Sequence, residues 1–142
     1  MRIGRNALIA VLSLSALELI ARFLFLKTHF VGGGFFVFGT WVGIAEHLNT
    51  GSVFDVPIDN TVVAMCMVFI LAGLLWYSRC LTDQRTSTAF LFVIAGAVLN
   101  LSSRVLYGGV VDYVHVPFGG VLNLADVMIV AGVLWFVVGQ KK

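Results

Sequence analysis

Seven acidic and nine basic residues are all that this 142-residue chain carries, so their positions within its apolar stretches hold most of the chemical information. Asp126 sits about one turn inside an apolar segment, where a carboxylate is costly to keep without a partner or a chemical task. Upstream of it lie Asn100 and Arg104 at the end of one apolar segment, Asp112 in the loop that follows, and Asn123 at the start of the next. These groups can converge at one membrane face, and they carry what acid–base chemistry needs: carboxylates, a cation and amides that can orient both. Glu18 and Arg22 form a second constellation. Their i,i+4 spacing, with the acid N-terminal, suits an ion pair along one helix face; it either neutralises itself and fixes helix packing or belongs to the site.

Other chemistries find less support. His29, His47, His115 and Glu46 match no metal-ligand spacing, so neither a metal nor a cofactor is expected. Cys66 and Cys80 stand on one predicted helix at a separation of roughly 21 Å, too far for a disulfide, and read as inert thiols.

The elements that must position these residues follow from composition. The chain is 60% hydrophobic and 11% charged, with a mean hydropathy of +1.02, far from a soluble domain with about a quarter of its residues charged. Apolar segments at 7–26, 61–78, 88–106 and 121–139 approach the roughly 20 residues that cross a bilayer. The expected fold is therefore one 1–142 membrane domain of four transmembrane helices. Residues 27–60 differ: repeated glycine, aromatic and β-branched residues around Gly32–34 and 35–42 favour short strands, here a small extended or β element on the membrane face. Arg2 and Arg5, Arg79 and Arg85, and Lys141 and Lys142 fall on one side of a four-span arrangement, which puts both termini in the cytoplasm. The apolar stretch after Arg5 is too long for a signal-peptide core and reads as a retained span. No basic patch of the kind that binds nucleic acid is present.

Five short motifs, in order, resemble the bacterial lipoprotein signal peptidases (signal peptidase II), a family of four-span aspartic peptidases with an outer-face β cradle. Asn49-Thr50-Gly51-Ser52-Val53-Phe54 resembles N-x-G-x-A-F. Ala95-Gly96-Ala97-Val98-Leu99-Asn100-Leu101-Ser102-Ser103-Arg104 resembles G-G-x-x-x-N-x-x-D-R. Val110-Val111-Asp112-Tyr113 resembles V-V-D-F, Asn123-Leu124-Ala125-Asp126 resembles F-N-x-A-D without its leading Phe, and Glu18-Leu19-Ile20-Ala21-Arg22 keeps the charges of D-Q-x-T-K.

The resemblance implies cleavage of the signal peptides of diacylglyceryl-modified prolipoproteins in the bacterial cytoplasmic (inner) membrane, among membrane lipids. It places the catalytic pair at Asp126 and at position 103, where this chain has Ser103 in place of the first aspartate. Asn49, Gly51, Asn100, Arg104, Asp112 and Asn123 would bind substrate or support the site. Two carboxylates sharing one proton divide the acid and base roles, and a serine cannot replace either. Asp112 swinging toward Asp126, or Ser103 attacking as a nucleophile with Asp126 as base, are the available substitutes. An inactive relative that holds a lipoprotein or another membrane-protein partner in the same groove is the alternative. A small transporter or complex subunit with a polar path is a further one.

Overall fold

The computed structural model describes residues 1–28, 34–37, 41–51, 56–117 and 120–139. His29, Gly32 and Gly33, residues 38–40, Ser52, Val53 and Phe54 of the first motif, and Lys141 and Lys142 lie outside the described residues. The chain runs α1 (Arg5–Thr28), β1 (Phe35–Val37), β2 (Val42–Asn49), α2 (Asn60–Ser78), α3 (Gln84–Tyr107), β3 (Val110–Val116), β4 (Gly120–Leu122) and α4 (Leu124–Gly139).

Among the described residues, α1, α2 and α3 are long and apolar enough to cross a membrane. The fourth apolar segment is expected to span from residue 121, but residues 120–122 pair with β3 and α4 begins only at Leu124. That leaves an apolar helix of 16 residues, about 24 Å long. Most large apolar side chains on these helices point outward: Phe69 and Trp76 of α2 are 78% and 72% exposed. A bundle that turns such residues away from its own centre is built for an apolar surround.

Polar residues mark the helix ends. The Asp59 carboxylate accepts the N–H groups of Thr61 and Val62 at the start of α2, and Asp83 accepts that of Thr86 at the start of α3. These bonds satisfy N–H donors left over at a helix start and hold both carboxyls below the usual carboxylate range. Helix α3 ends where Gly108 enters the left-handed region at φ 73°, a conformation that suits a residue without a Cβ. The turn sends the chain directly into β3.

The strand segment expected within 27–60 supplies β1 and β2, and the segment after α3, expected as a loop, supplies β3 and β4. The four strands form one antiparallel sheet in the order β1-β2-β3-β4. Beneath it α3 and α4 pack most intimately, because two glycines let the backbones approach. A Cβ on Gly96 would stand 2.5 Å from the Ala125 carbonyl oxygen, and one on Gly132 would stand 2.7 Å from that of Ala89. Val11, Leu99, Ala125 and Met128 form the core at this seam. It ties the end of α3, with Asn100 and Arg104, to the start of α4, with Asp126.

Candidate active site

The polar residues of the apolar bundle gather where the sheet meets the helices, and α4 starts there with a reciprocal cap. Asn123 precedes the helix and its Oδ1 accepts the Asp126 N–H at 2.9 Å, while Asp126 Oδ2 accepts the Asn123 N–H at 3.1 Å. This is a capping box in which the N3 acid reaches back to the N-cap backbone. The N-x-x-D spacing thus has a local cause: it starts the helix and aims the Asp126 carboxylate sideways.

From this cap the network spreads to every helix of the core. Asn100 Nδ2 donates to Asp126 Oδ1 at 2.7 Å, and Asn123 Nδ2 donates both to Asn100 Oδ1 at 3.1 Å and to Asp112 Oδ1 at 2.7 Å. Asn123 therefore bonds both carboxylates, one through its backbone and one through its side chain. Asn49 Nδ2 approaches the other oxygen of Asp112 at 3.4 Å from β2. The Arg104 guanidinium donates to Asn60 Oδ1 and to the Gly51 carbonyl, at 2.9 and 2.8 Å. Its buried Nε has no hydrogen-bond partner among the described residues.

Glu18 and Arg22 pair directly, both buried. Arg22 also donates to the Leu99 carbonyl and to Asn100 Oδ1, at 2.6 and 2.9 Å. Glu18 Oε2 accepts the Tyr113 hydroxyl and the Leu124 N–H. The pair therefore joins α1 to α3, to β3 and to the first turn of α4. Burial, with the Glu18 carboxylate as its acceptor, pushes the Tyr113 phenol above its ordinary range.

Beside this network lies a cavity of about 540 Å³, within the size range of ligand sites. Asn49, Asn100, Arg104, Asp112 and Asp126 line its polar side. Its apolar side comes from α2 (Val63, Cys66, Met67, Ile70), the strands (Val110, Val121, Leu122) and α4 (Ile129, Val130). Burial first, and then the nearby Asp126 carboxylate, push the Asp112 carboxyl up to about 7, against bonds from Asn123 and Asn49 that act the other way. Among the described residues no three His, Cys, Asp or Glu side chains cluster as metal ligands.

Of the residues singled out in the sequence, Asn49, Asn100, Arg104, Asp112 and Asp126 thus meet at one cavity. Gly51 and Asn123 stand behind it as bonding partners. Ser103 is placed differently from the expectation that it faces Asp126. It is fully buried, does not line the cavity, and its Oγ accepts the Val111 N–H at 3.1 Å. The reason is where the next strand returns: β3 comes back alongside the end of α3, so Ser103 meets its backbone, and the side chain delivered to the cavity is that of Asp112. The second acidic group opposite Asp126 therefore comes from the V-V-D-Y segment. Asn60, the partner of Arg104, and the α2 residues that line the cavity gave no signal in the sequence. Tyr113 gave one: a buried phenol needs an acceptor, and the buried Glu18 was available.

Fold and site together define a class: a bundle of apolar helices capped by a small sheet, with two carboxyl groups at the polar wall of a cavity whose other wall is apolar. Residues 9–140 match the family model described as signal peptidase (SPase) II. The chain is 42% identical over 90 residues to a lipoprotein signal peptidase of Nitrobacter hamburgensis, a match covering 54% of either protein; the chain thus spans about half the length of that relative. It is 31% identical over 119 residues to one of Sulfurovum sp., covering 80% of each. A solved structure described as a bacterial membrane enzyme superposes with a TM-score of 0.79, covering 96% of this chain and 92% of that one at 22% identity, a likeness of fold. The chain belongs to the signal peptidase II family.

Proposed function

We propose that this chain is an active lipoprotein signal peptidase whose catalytic pair is Asp112 and Asp126. The observation that carries this reading is that both carboxyl groups line one cavity and are bonded by the same residue, Asn123. Two neighbouring carboxyls that share one proton are the working parts of an aspartic peptidase. With the pair supplied by Asp112, the serine at position 103 costs the chain no catalytic group, and the inactive-relative alternative loses its motive.

The chemistry follows from the placement. Asp112, raised to about 7, carries the shared proton at neutral pH and donates it to the oxygen of the scissile carbonyl. Asp126, fixed through Asn100 and Asn123, takes a proton from the attacking water. The gem-diol then collapses as the proton on Asp126 passes to the leaving amine, and Asp112 recovers its own proton from the gem-diol hydroxyl. The Arg104 Nε, buried without a partner among the described residues, is a donor for a substrate carbonyl. The apolar wall from α2 and α4 suits the signal-peptide helix and the acyl chains of a diacylglyceryl-modified cysteine, the substrate class to which the family's name points. A preformed apolar wall with a few polar groups is the expected form of such a site.

In this reading the protein resides in the bacterial cytoplasmic membrane with α4 as a short fourth span. Both termini are cytoplasmic and the sheet is on the outer face. A hydrocarbon core of about 30 Å exceeds the length of α4, and a shorter span is accommodated by local thinning. The test is cleavage of a synthetic diacylglyceryl-modified prolipoprotein peptide by the purified chain. Asp112→Asn and Asp126→Asn each lower kcat by about 10²–10⁴-fold, and the double variant is no worse than the poorer single one, because the two groups act as a unit. Full activity in Asp112→Asn sinks the assignment.

A further inference from the structure

Ser103 occupies a position where the family pattern carries an acidic residue, and the peptidase mechanism gives it no task. Its surroundings give it one. It lies on α3 between Asn100 and Arg104, which both line the cavity, yet it is fully buried against β3. Strand β4 pairs with β3 only from Val114 to Val116, so the earlier part of β3 has no strand on that side. A buried backbone donor there needs another acceptor. Ser103 Oγ supplies it, taking the Val111 N–H at 3.1 Å. Val111 is 1% exposed and is the residue immediately before Asp112, so this bond pins the strand to α3 one residue from the carboxyl that must meet Asp126.

We infer that Ser103 is a positioning residue: an uncharged clamp that fixes the Asp112 backbone against α3 and spares the two carboxyls a third negative charge beside them. The charged groups around Asp112 show why the absence of charge at position 103 matters. Asp126 of α4 is near enough to disfavour ionisation of Asp112, Arg22 of α1 and Arg104 of α3 are near enough to favour it, and His47 of β2 stands opposite in register. An acid at position 103 would accept the same N–H and would add a further charge of the kind that Asp126 already exerts.

The inference rests on the peptidase reading for its activity arm, and the experiment keeps the two apart. The full-length native chain, Ser103→Ala and Ser103→Asp are assayed on the diacylglyceryl-modified peptide from about pH 5 to about pH 9. In parallel, the Asp112 carboxyl is followed by its infrared carbonyl band, assigned by difference against Asp112→Asn. Ser103→Ala lowers kcat by about 10- to 100-fold with KM changed by less than about threefold, the size of effect that a misplaced catalytic group produces. Ser103→Asp recovers most of kcat at its own optimum, and its alkaline limb and the infrared midpoint both move up by about one pH unit. Native kcat in Ser103→Ala overturns the clamp, and an unmoved midpoint in Ser103→Asp overturns the charge argument. If Ser103→Ala does not fold, Ser103→Asp decides alone. A native chain that cleaves nothing overturns the peptidase reading instead, and the shift or stillness of the infrared midpoint in Ser103→Asp then decides the role of Ser103.

Discussion

At the scale of single residues, the site turns on Asp112, whose carboxyl is 2% exposed and titrates near 7 rather than at the ordinary 3.8. Two consequences follow with a definite sign. In the proposed mechanism Asp112 donates the proton and must hold it first, so kcat falls as pH rises through about 7, and the residual activity of Asp112→Asn lacks that alkaline limb. A pH–rate profile of cleavage checks this, and a flat profile across neutrality contradicts it. For stability, the folded chain holds the Asp112 proton that the unfolded chain has released above about pH 4. Stability from this group is therefore complete below about pH 4, declines as pH rises to about 7 and then levels off. Unfolding followed in detergent across that window reports it, and Asp112→Asn flattens the decline. The residue scale is also where the sequence is most legible and where its legibility stops. Asp126, Asn100, Arg104 and Asn123 stand out because polar groups in apolar runs need a reason. Asp112 stands out only as a group that could converge with Asp126 or swing toward it. That its side chain, and not the one at position 103, lines the cavity depends on β3 folding back along the end of α3, a tertiary event that spacing does not show.

At the scale of elements, the distance between the two halves of the site is set by the α3–α4 seam. Gly96 and Gly132 belong to the same seam, but only Gly96 lies near the network: a Cβ there meets Ala125 O at 2.5 Å and Ile129 Cγ1 at 2.8 Å, one residue from Asp126. A Cβ on Gly132 meets Ala89 O and Val93 Cγ2, both at 2.7 Å, further along α4 from Asp126 and towards the start of α3. Overpacking of this kind costs about 1–3 kcal/mol, so Gly96→Ala and Gly132→Ala lose similar stability. Only Gly96→Ala moves Asp126 relative to Asn100, and it lowers kcat by about tenfold or more, while Gly132→Ala stays within about threefold of native. Thermal unfolding and cleavage assays side by side separate the two, and equal losses of kcat refute the local argument. The helices are legible in the sequence, since apolar length is a strong signal. The sheet is half legible: glycine and aromatic residues point to β1 and β2, whereas 110–120 carries β-branched residues between two apolar segments and reads as a loop, and Val121 and Leu122 read as the start of the last span. For that reason apolarity alone starts α4 at residue 121 rather than after Asn123.

At the scale of the whole molecule, a bundle whose apolar side chains mostly face outward has little hydrophobic core to hold its helices in register, and buried polar contacts take on that work. The Glu18–Arg22 pair is the main instance. It is legible as an i,i+4 pair but not as a junction, since its partners Leu99, Asn100, Tyr113 and Leu124 lie far along the chain. Breaking a buried pair by removing one partner leaves an uncompensated charge and typically costs about 3–5 kcal/mol. Glu18→Ala leaves the Arg22 guanidinium without its paired carboxylate, bonded to neutral oxygens of α3. Arg22→Ala strands the Glu18 carboxylate with the Tyr113 hydroxyl and the Leu124 N–H. The double variant strands neither charge, so its loss is smaller than the sum of the single losses, with a coupling of about 1–3 kcal/mol. Reversible unfolding of all four proteins in one detergent gives that coupling directly. Additive losses show that each residue acts through its other contacts, and the pair then ceases to be the junction that holds α1 against the active-site helices.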